Sequence, residues 1–307
     1  MVTDSTATLT PADAAAWGVE VVPLDVVVDG ERHAEGVDLG PAELLAALGR
    51  GARVTTSQPP PAAFAAAYER AVAAGAREIV SVHLAGGLSG TVQAARVAAA
   101  TVPVPVHVVD SGTAGMALEV AVLAVERVAR SPSATEPSAA RGARVAGGVR
   151  GWWQGRFARP TTPGGAEVAD VARAVAASSR VWFLVDSLDH LRRGGRLGAT
   201  AAALGTVLGL RPILTVRDGS VVVVEKVRTR RAARDRLEAL AVADVARRTS
   251  ARVAVHHLQQ PELAGAVAEQ VRVWGAQRVV DAVTCDAGAV IAAHVGPGLL
   301  AIVVADA

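Results

Sequence analysis

EIVSVHLAGGLSGTVQAARVAAATVPVPVHVVDS, residues 78–111, decides the fold. EIVSVHL (78–84) is an apolar run of strand length, TVQAARVAAA (91–100) has helical composition, and VPVHVVDS (104–111) is a second strand. A glycine-rich loop, GGLSG (86–90), joins the first strand to the helix. Continuous apolar strands linked through helices predict a parallel sheet covered on both faces.

The rhythm extends in both directions. VEVVPLDVVVDG (19–30) reads as a strand ending in a turn, and VTTSQPPP (54–61) as a loop ending in hydroxyls and an amide. PAELLAALGR (41–50) and PAAFAAAYERAVAAG (61–75) read as helices that begin at proline, the second stopping at Gly75. AGMALEVAVLAVERVAR (114–130) is a further helix. Residues 131–165 break the pattern with small residues, Pro and Gly around Trp152 and Trp153, and read as a disordered insertion or a loose lid. Beyond it come a helix at 166–178, the strand VWFLVDSL (181–188) and an apolar helix after LRRGGRLG (191–198). The hairpin RPILTVRDGSVVVVEKVR (211–228) turns at Asp218–Gly219. A charged helix (229–248), the strand RVAVHHL (252–258), a helix at 261–274 and the strand RVVDAVTC (278–285) follow. These signals predict an N-terminal α/β domain over 1–130 and a C-terminal α/β domain with a mixed sheet over 166–307.

Composition narrows the function classes. The chain has 307 residues, 51% hydrophobic and 20% charged, which is globular rather than disordered. Aromatics are 3%, so the core must be built from Ala, Val and Leu. The net charge of +2 is too small for a strong field. The one basic run, RTRRAARDR (228–236), carries an acid and no aromatic, which argues against nucleic-acid binding. Cys285 is alone, so no intrachain disulfide forms and a reducing cytoplasm fits. The start, MVTDSTATL, lacks the features of a signal peptide. GAVIAAHVGPGLLAIVVA (288–305) is interrupted by His294 and GPG and reads as two buried strands joined by a turn. No integral membrane span is expected, leaving at most transient contact with a membrane surface.

Ser89 in GGLSG admits three chemistries. As a nucleophile it needs G-x-S-x-G, but Thr91 stands at the fifth place. In a phosphate loop it needs G-x-x-x-x-G-K-[ST], which is absent, and Lys226 is far away. As an anion grip it needs only close backbone, hydroxyls from Ser89 and Thr91, and the free N–H groups of the next helix. Capping of that helix is the plainer alternative. The hydroxyls of TTSQ (55–58), Thr56 and Ser57 among them, and those of DST (4–6) turn one polar loop into three, which suggests a shared mouth. Asp189–His190 beside RRGGR reads as a solvated helix end.

VTDSTATL (2–9), TTSQPPPAAF (55–64), GLSGTVQAA (87–95), VVDSGTAGM (108–116), SLDHLRRGGRLG (187–198), LGLRPILTVRDGSV (208–221), VRTRRAA (227–233) and HVGPG (294–298) follow one another as in the DegV family. The chain resembles that family everywhere except 131–165, with Val92 replacing an aromatic common after GT. The resemblance implies a two-domain α/β architecture, the EDD fold, that binds one long-chain fatty acid without catalysis and uses no cofactor. It implies a carboxylate clamp of Thr56, Ser57, Ser89, Gly90, Thr91 and His294, with the tail in an apolar tunnel between the domains. It also implies presentation of the carboxylate to an ATP-dependent fatty acid kinase subunit. Arg196, Arg228 and Arg230, with Asp4 and Ser5, are secondary candidates for phosphate or partner contacts. A serine-dependent acyl-hydrolase using Ser89 is the alternative from a different class.

Overall fold

The computed structural model describes residues 1–130, 163–198 and 210–307. The expected insertion around Trp152 and Trp153, and the expected apolar helix after residue 198, lie outside the described residues.

The first half runs β1 (Val2–Asp4), α1 (Pro11–Trp17), β2 (Glu20–Val22), β3 (Asp25–Val28), β4 (Glu31–Ala34), α2 (Pro41–Gly49), β5 (Val54–Ser57), α3 (Pro61–Ala73), β6 (Ile79–His83), α4 (Thr91–Ala99), β7 (Val106–Asp110) and α5 (Met116–Arg130). β2, β1, β6 and β7 form the expected all-parallel sheet in that order. Residues 19–30 are two strands rather than one, because Pro23 fixes its φ and lacks an N–H at the point where the chain changes sheet. β3 instead pairs antiparallel with β4 and β5 in a small sheet. Thr56 therefore sits on a strand, not in a loop at the carboxyl end of the parallel sheet.

The second half runs α6 (Gly165–Ser178), β8 (Arg180–Leu184), α7 (Asp189–Arg193), β9 (Arg211–Arg217), β10 (Ser220–Val227), α8 (Arg230–Val245), β11 (Ala251–His257), α9 (Pro261–Gly275), β12 (Val279–Asp286), α10 (Ala289–Val295) and β13 (Leu300–Asp306). Its mixed sheet has the order β10-β9-β8-β13-β11-β12, with only β11 and β12 parallel. The run 288–305 is a helix followed by a strand, not two strands. Gly288 precedes α10, and Gly296 closes it in the left-handed region at φ 72°, its N–H returning to Ala292 O.

Alternation along the mixed sheet separates its two faces. Val253, Val255, Ile302 and Val304 pack beneath α8 and α9 with Leu237 and Val271. On the opposite face, Phe183, Leu214 and Ala301 join one core with Val82, Val109 and Leu118 of the first half. Helix α6 packs on α5, β6 and β7, burying Val168, Ala169 and Ala172 in that shared core. The halves also meet through backbone. A Cβ on Gly87 would stand 2.5 Å from Gly219 O at the tip of the β9–β10 hairpin, so only glycine fits there. Among the described residues no helix is long and apolar enough to cross a membrane.

Candidate functional site

A cavity of about 360 Å³ lies between the halves, of a size that holds small ligands. Its walls are mostly apolar, with Leu24, Leu84, Leu88, Phe183, Leu191 and Val221 among them. Polar groups gather at one end, where Thr56, Ser57, Gln58, Ser89, Gly90, Arg196 and His294 line it. Gln58 is exposed, and Ser89, Arg196 and His294 are half-buried, so this end is the mouth. Buried Thr6, Gly115 and His256 form another stretch of its wall, with the Gly115 N–H reaching Thr6 O at 3.0 Å.

Each mouth residue is held by its own local structure. Thr56 is fixed on β5 opposite Val26. Its Oγ1 lies 2.8 Å from Nε2 of His294 on the last turn of α10. Ser57 Oγ donates to Asp25 Oδ2 at 3.2 Å, so that hydroxyl is engaged. Ser89 follows a tight turn in which the N–H groups of Leu88 and Ser89 both reach Ala85 O, at 2.9 and 3.1 Å. Its Oγ lies 2.8 Å from Thr91 Oγ1, and Thr91 is fully buried behind it rather than lining the cavity. Arg196 donates from Nε to Leu88 O at 3.0 Å and from Nη1 to Gly194 O. That ties the guanidinium to the same loop as Ser89.

Electrostatics at the mouth favour an anion. Burial, and then the Arg196 charge, push the His294 imidazole down to about 4, so it is neutral near pH 7. Among the described residues Arg196 is the cation that lines the cavity, and no carboxylate lines it. An acidic head group would meet hydroxyls, one imidazole and one guanidinium.

The other sequence-derived candidates sit elsewhere. Asp4 is fully buried, accepting from Thr6 Oγ1 at 2.5 Å, from Leu84 N–H at 3.0 Å and from His83 Nδ1 at 3.0 Å. It ties the end of β1 to the start of the Ser89 loop and does not reach the mouth. Ser5 donates to Glu35 Oε2 at 2.5 Å, also away from the mouth. Arg228 is exposed, and Arg230 pairs with Asp186 at 2.9 Å over a separate surface hollow shared with Arg211 and Arg234.

Two features had no readable signal. Glu35, 5% exposed, accepts the Val290 N–H at 2.7 Å and so caps the helix that carries His294. Burial raises its carboxyl above the ordinary range. His256, from the HH pair of β11, forms the inner wall.

The acid–histidine–serine chain present here is not at the mouth. It runs Asp4–His83–Ser81, with Ser81 Oγ 2.7 Å from His83 Nε2 and 2.9 Å from the Tyr68 hydroxyl. Ser81 and His83 are fully buried, with no access for a substrate. Ser89 has Thr91 as its hydroxyl partner, while Nε2 of His294 is engaged by Thr56 instead.

Fold and site together define a class, a two-lobed α/β protein with an apolar cavity gated by hydroxyl, imidazole and guanidinium groups. The profile of an uncharacterised protein family, DegV family COG1307, matches residues 1–141 and 164–307. The chain belongs to the DegV family. It is 40% identical to a DegV domain-containing protein of Streptomyces coelicolor, over 100% of this chain and 98% of that one. A Thermus thermophilus DegV family protein whose structure is described as fatty acid binding superposes with a TM-score of 0.83 at 30% identity, covering 100% of this chain and 98% of that one. Bacillus subtilis DegV, described as a fatty acid binding protein, gives a TM-score of 0.80 at 27% identity over 100% and 98% of the two chains.

Proposed function

We propose that this protein binds one long-chain fatty acid, with its carboxylate at Thr56, Ser89 and His294 and its tail in the tunnel. The observation that carries this is the Thr56–His294 contact of 2.8 Å, made at the mouth of a cavity whose remaining walls are almost all apolar. The fatty-acid-binding descriptions of the Thermus and Bacillus relatives support the same reading.

The tail supplies affinity and the clamp supplies orientation. Burying roughly fifteen carbons at ~0.8 kcal/mol per CH₂ gives about 12 kcal/mol gross. Association and ordering cancel a large share of that. A carboxylate leaving water needs replacement donors, which the mouth provides.

The protein acts without catalysis, as a cytoplasmic carrier that offers the carboxylate at the mouth to a separate ATP-dependent kinase. Arg196 then steadies the acyl-phosphate. Support for this division of labour comes from the lack of any phosphate loop in the sequence and from Ser89 Oγ having the Thr91 hydroxyl, not an imidazole, as its hydrogen-bond partner. Native mass spectrometry of bacterially expressed protein tests the first part, with a retained mass of fatty-acid size expected. A clean apo spectrum with no uptake of palmitate or oleate refutes it.

A further inference from the structure

The tunnel floor is laid across the strands of the mixed sheet rather than along them. It takes Val221 from β10, Val216 from β9, Phe183 from β8, Ala301 from β13 and His256 from β11. Register carries the path across the sheet, since Val221 faces Val216 and Ala301 faces both Phe183 and His256, with a two-residue step between β9 and β8, where Phe183 faces Leu214. From β10 to β11 is four inter-strand spacings, about 19 Å, comparable with an extended long-chain acid.

The row changes character at His256, a buried imidazole beside Ala301. Ala301 leaves a gap on the floor, and the next position in the row raises an imidazole into the lumen. From above, the chain at 114–116 clamps that ring. Gly115 adopts φ +67°, and a Cβ there would stand 2.8 Å from His256 Nε2. The Met116 N–H donates to Nε2 at 2.6 Å. An N–H can only donate, so Nε2 is the unprotonated nitrogen and the ring proton is on Nδ1. Nδ1 faces Cys285 Sγ at 3.6 Å on β12, the strand beyond. Both nitrogens are thus turned to protein, and the carbon edge of the ring is left for the tunnel. Burial pushes the imidazole down to about 4, so the wall is uncharged, as an alkyl terminus requires.

We propose that His256 is the end-stop of the tunnel, meeting the terminal methyl of the bound acid and setting the longest straight chain that the protein accepts. The proposal rests on the reading of the cavity as an acyl site. Removing the ring extends the row toward Cys285 and admits longer chains. Adding bulk one strand earlier, at Ala301, shortens the limit.

The test is competitive loading of the delipidated full chain with an equimolar series of saturated acids from laurate to behenate, followed by extraction and mass spectrometry. Wild type is expected to show a sharp upper limit. In His256→Ala, retention of the first acid beyond that limit rises relative to palmitate by roughly tenfold. In Ala301→Leu the limit moves to shorter acids. The second variant keeps the Met116 N–H partnered and decides the matter if the first does not fold. Lipid-loaded variants whose upper limit matches wild type overturn the end-stop. A wild type that takes up no acid at all overturns the acyl reading beneath it, which is a separate result.

Discussion

Thr56 Oγ1 and His294 Nε2 stand 2.8 Å apart although 238 residues separate them in the chain. One comes from an antiparallel strand of the first half, and the other from a short helix near the C-terminus. Loop preferences of neither segment require that meeting. It results from α10 packing on α2, β3 and β5, with Glu35 holding the near end of the helix.

Removing a clamp hydroxyl should weaken acid binding without unfolding the protein. A hydrogen bond to a charged group contributes about 1.5–3 kcal/mol. Thr56→Val and Ser89→Ala should therefore each raise the Kd for palmitate by roughly tenfold or more. Displacement titration with a fluorescent fatty acid checks this. Unchanged affinity in both variants removes these side chains from the site.

Binding should take up a proton. Burial and Arg196 push His294 down to about 4, and a carboxylate placed beside it favours the imidazolium. Affinity should therefore rise as pH falls from 7 toward 5. Calorimetry in two buffers of different ionisation enthalpy should report proton uptake on palmitate binding. His294→Gln should abolish the uptake, and uptake that survives in that variant places the proton elsewhere.

Glu119→Gln should stabilise the protein in a pH-dependent way. Burial raises the Glu119 carboxyl to about 7 from its ordinary value of 4.5. Below pH 4.5 the acid is protonated in both folded and unfolded chains and the substitution changes little. Between 4.5 and 7 the unfolded chain ionises first, so a penalty on the wild type grows and then levels off. The gain in the variant should reach at most about 3 kcal/mol at pH 8. His256 and His294, both lowered, tilt wild-type stability the opposite way, with loss on acidification from about 6.5 toward 4. Only the difference between variant and wild type isolates Glu119. Denaturant melts at pH 4 and pH 8 read it directly, and an equal shift at both rejects the assignment.

Gly87→Ala should loosen the seam between the halves. The new methyl would lie 2.5 Å from Gly219 O and 2.9 Å from its carbonyl carbon, and backbone cannot swing aside as a side chain can. Overpacking of this kind costs about 1–3 kcal/mol. A lower melting temperature together with faster loss of bound lipid is expected. An unshifted melt means that the hairpin tip yields freely.

The sequence announced the parallel sheet because its strands are unbroken apolar runs, and it announced the β9–β10 hairpin through Asp218–Gly219. Asp218 and Gly219 do adopt left-handed φ values of 50° and 68°. The small sheet was hidden, since β3, β4 and β5 have only four residues each and two of them are polar. Helix α10 was hidden for another reason. Seven residues give too few turns for the helical period to show, and Val290, Ile291 and Val295 carry strand propensity. Gly288 and Gly296 were its legible boundaries. Thr56, Ser89 and His294 were named through family motifs, and the structure brings them to one mouth. His256 could not be singled out, because an imidazole within an apolar strand becomes a wall only through cross-strand register.

The groups proposed to grip the acid are divided between the halves, with Thr56 and Ser89 on one side and Arg196 and His294 on the other. Cargo consequently works as mortar. A loaded molecule should melt later, by an amount that grows as RT ln(1 + [L]/Kd). A starved molecule is softest along its own seam and most open there to proteases. On the proposed function, the supply of lipid should set how long the protein survives limited proteolysis.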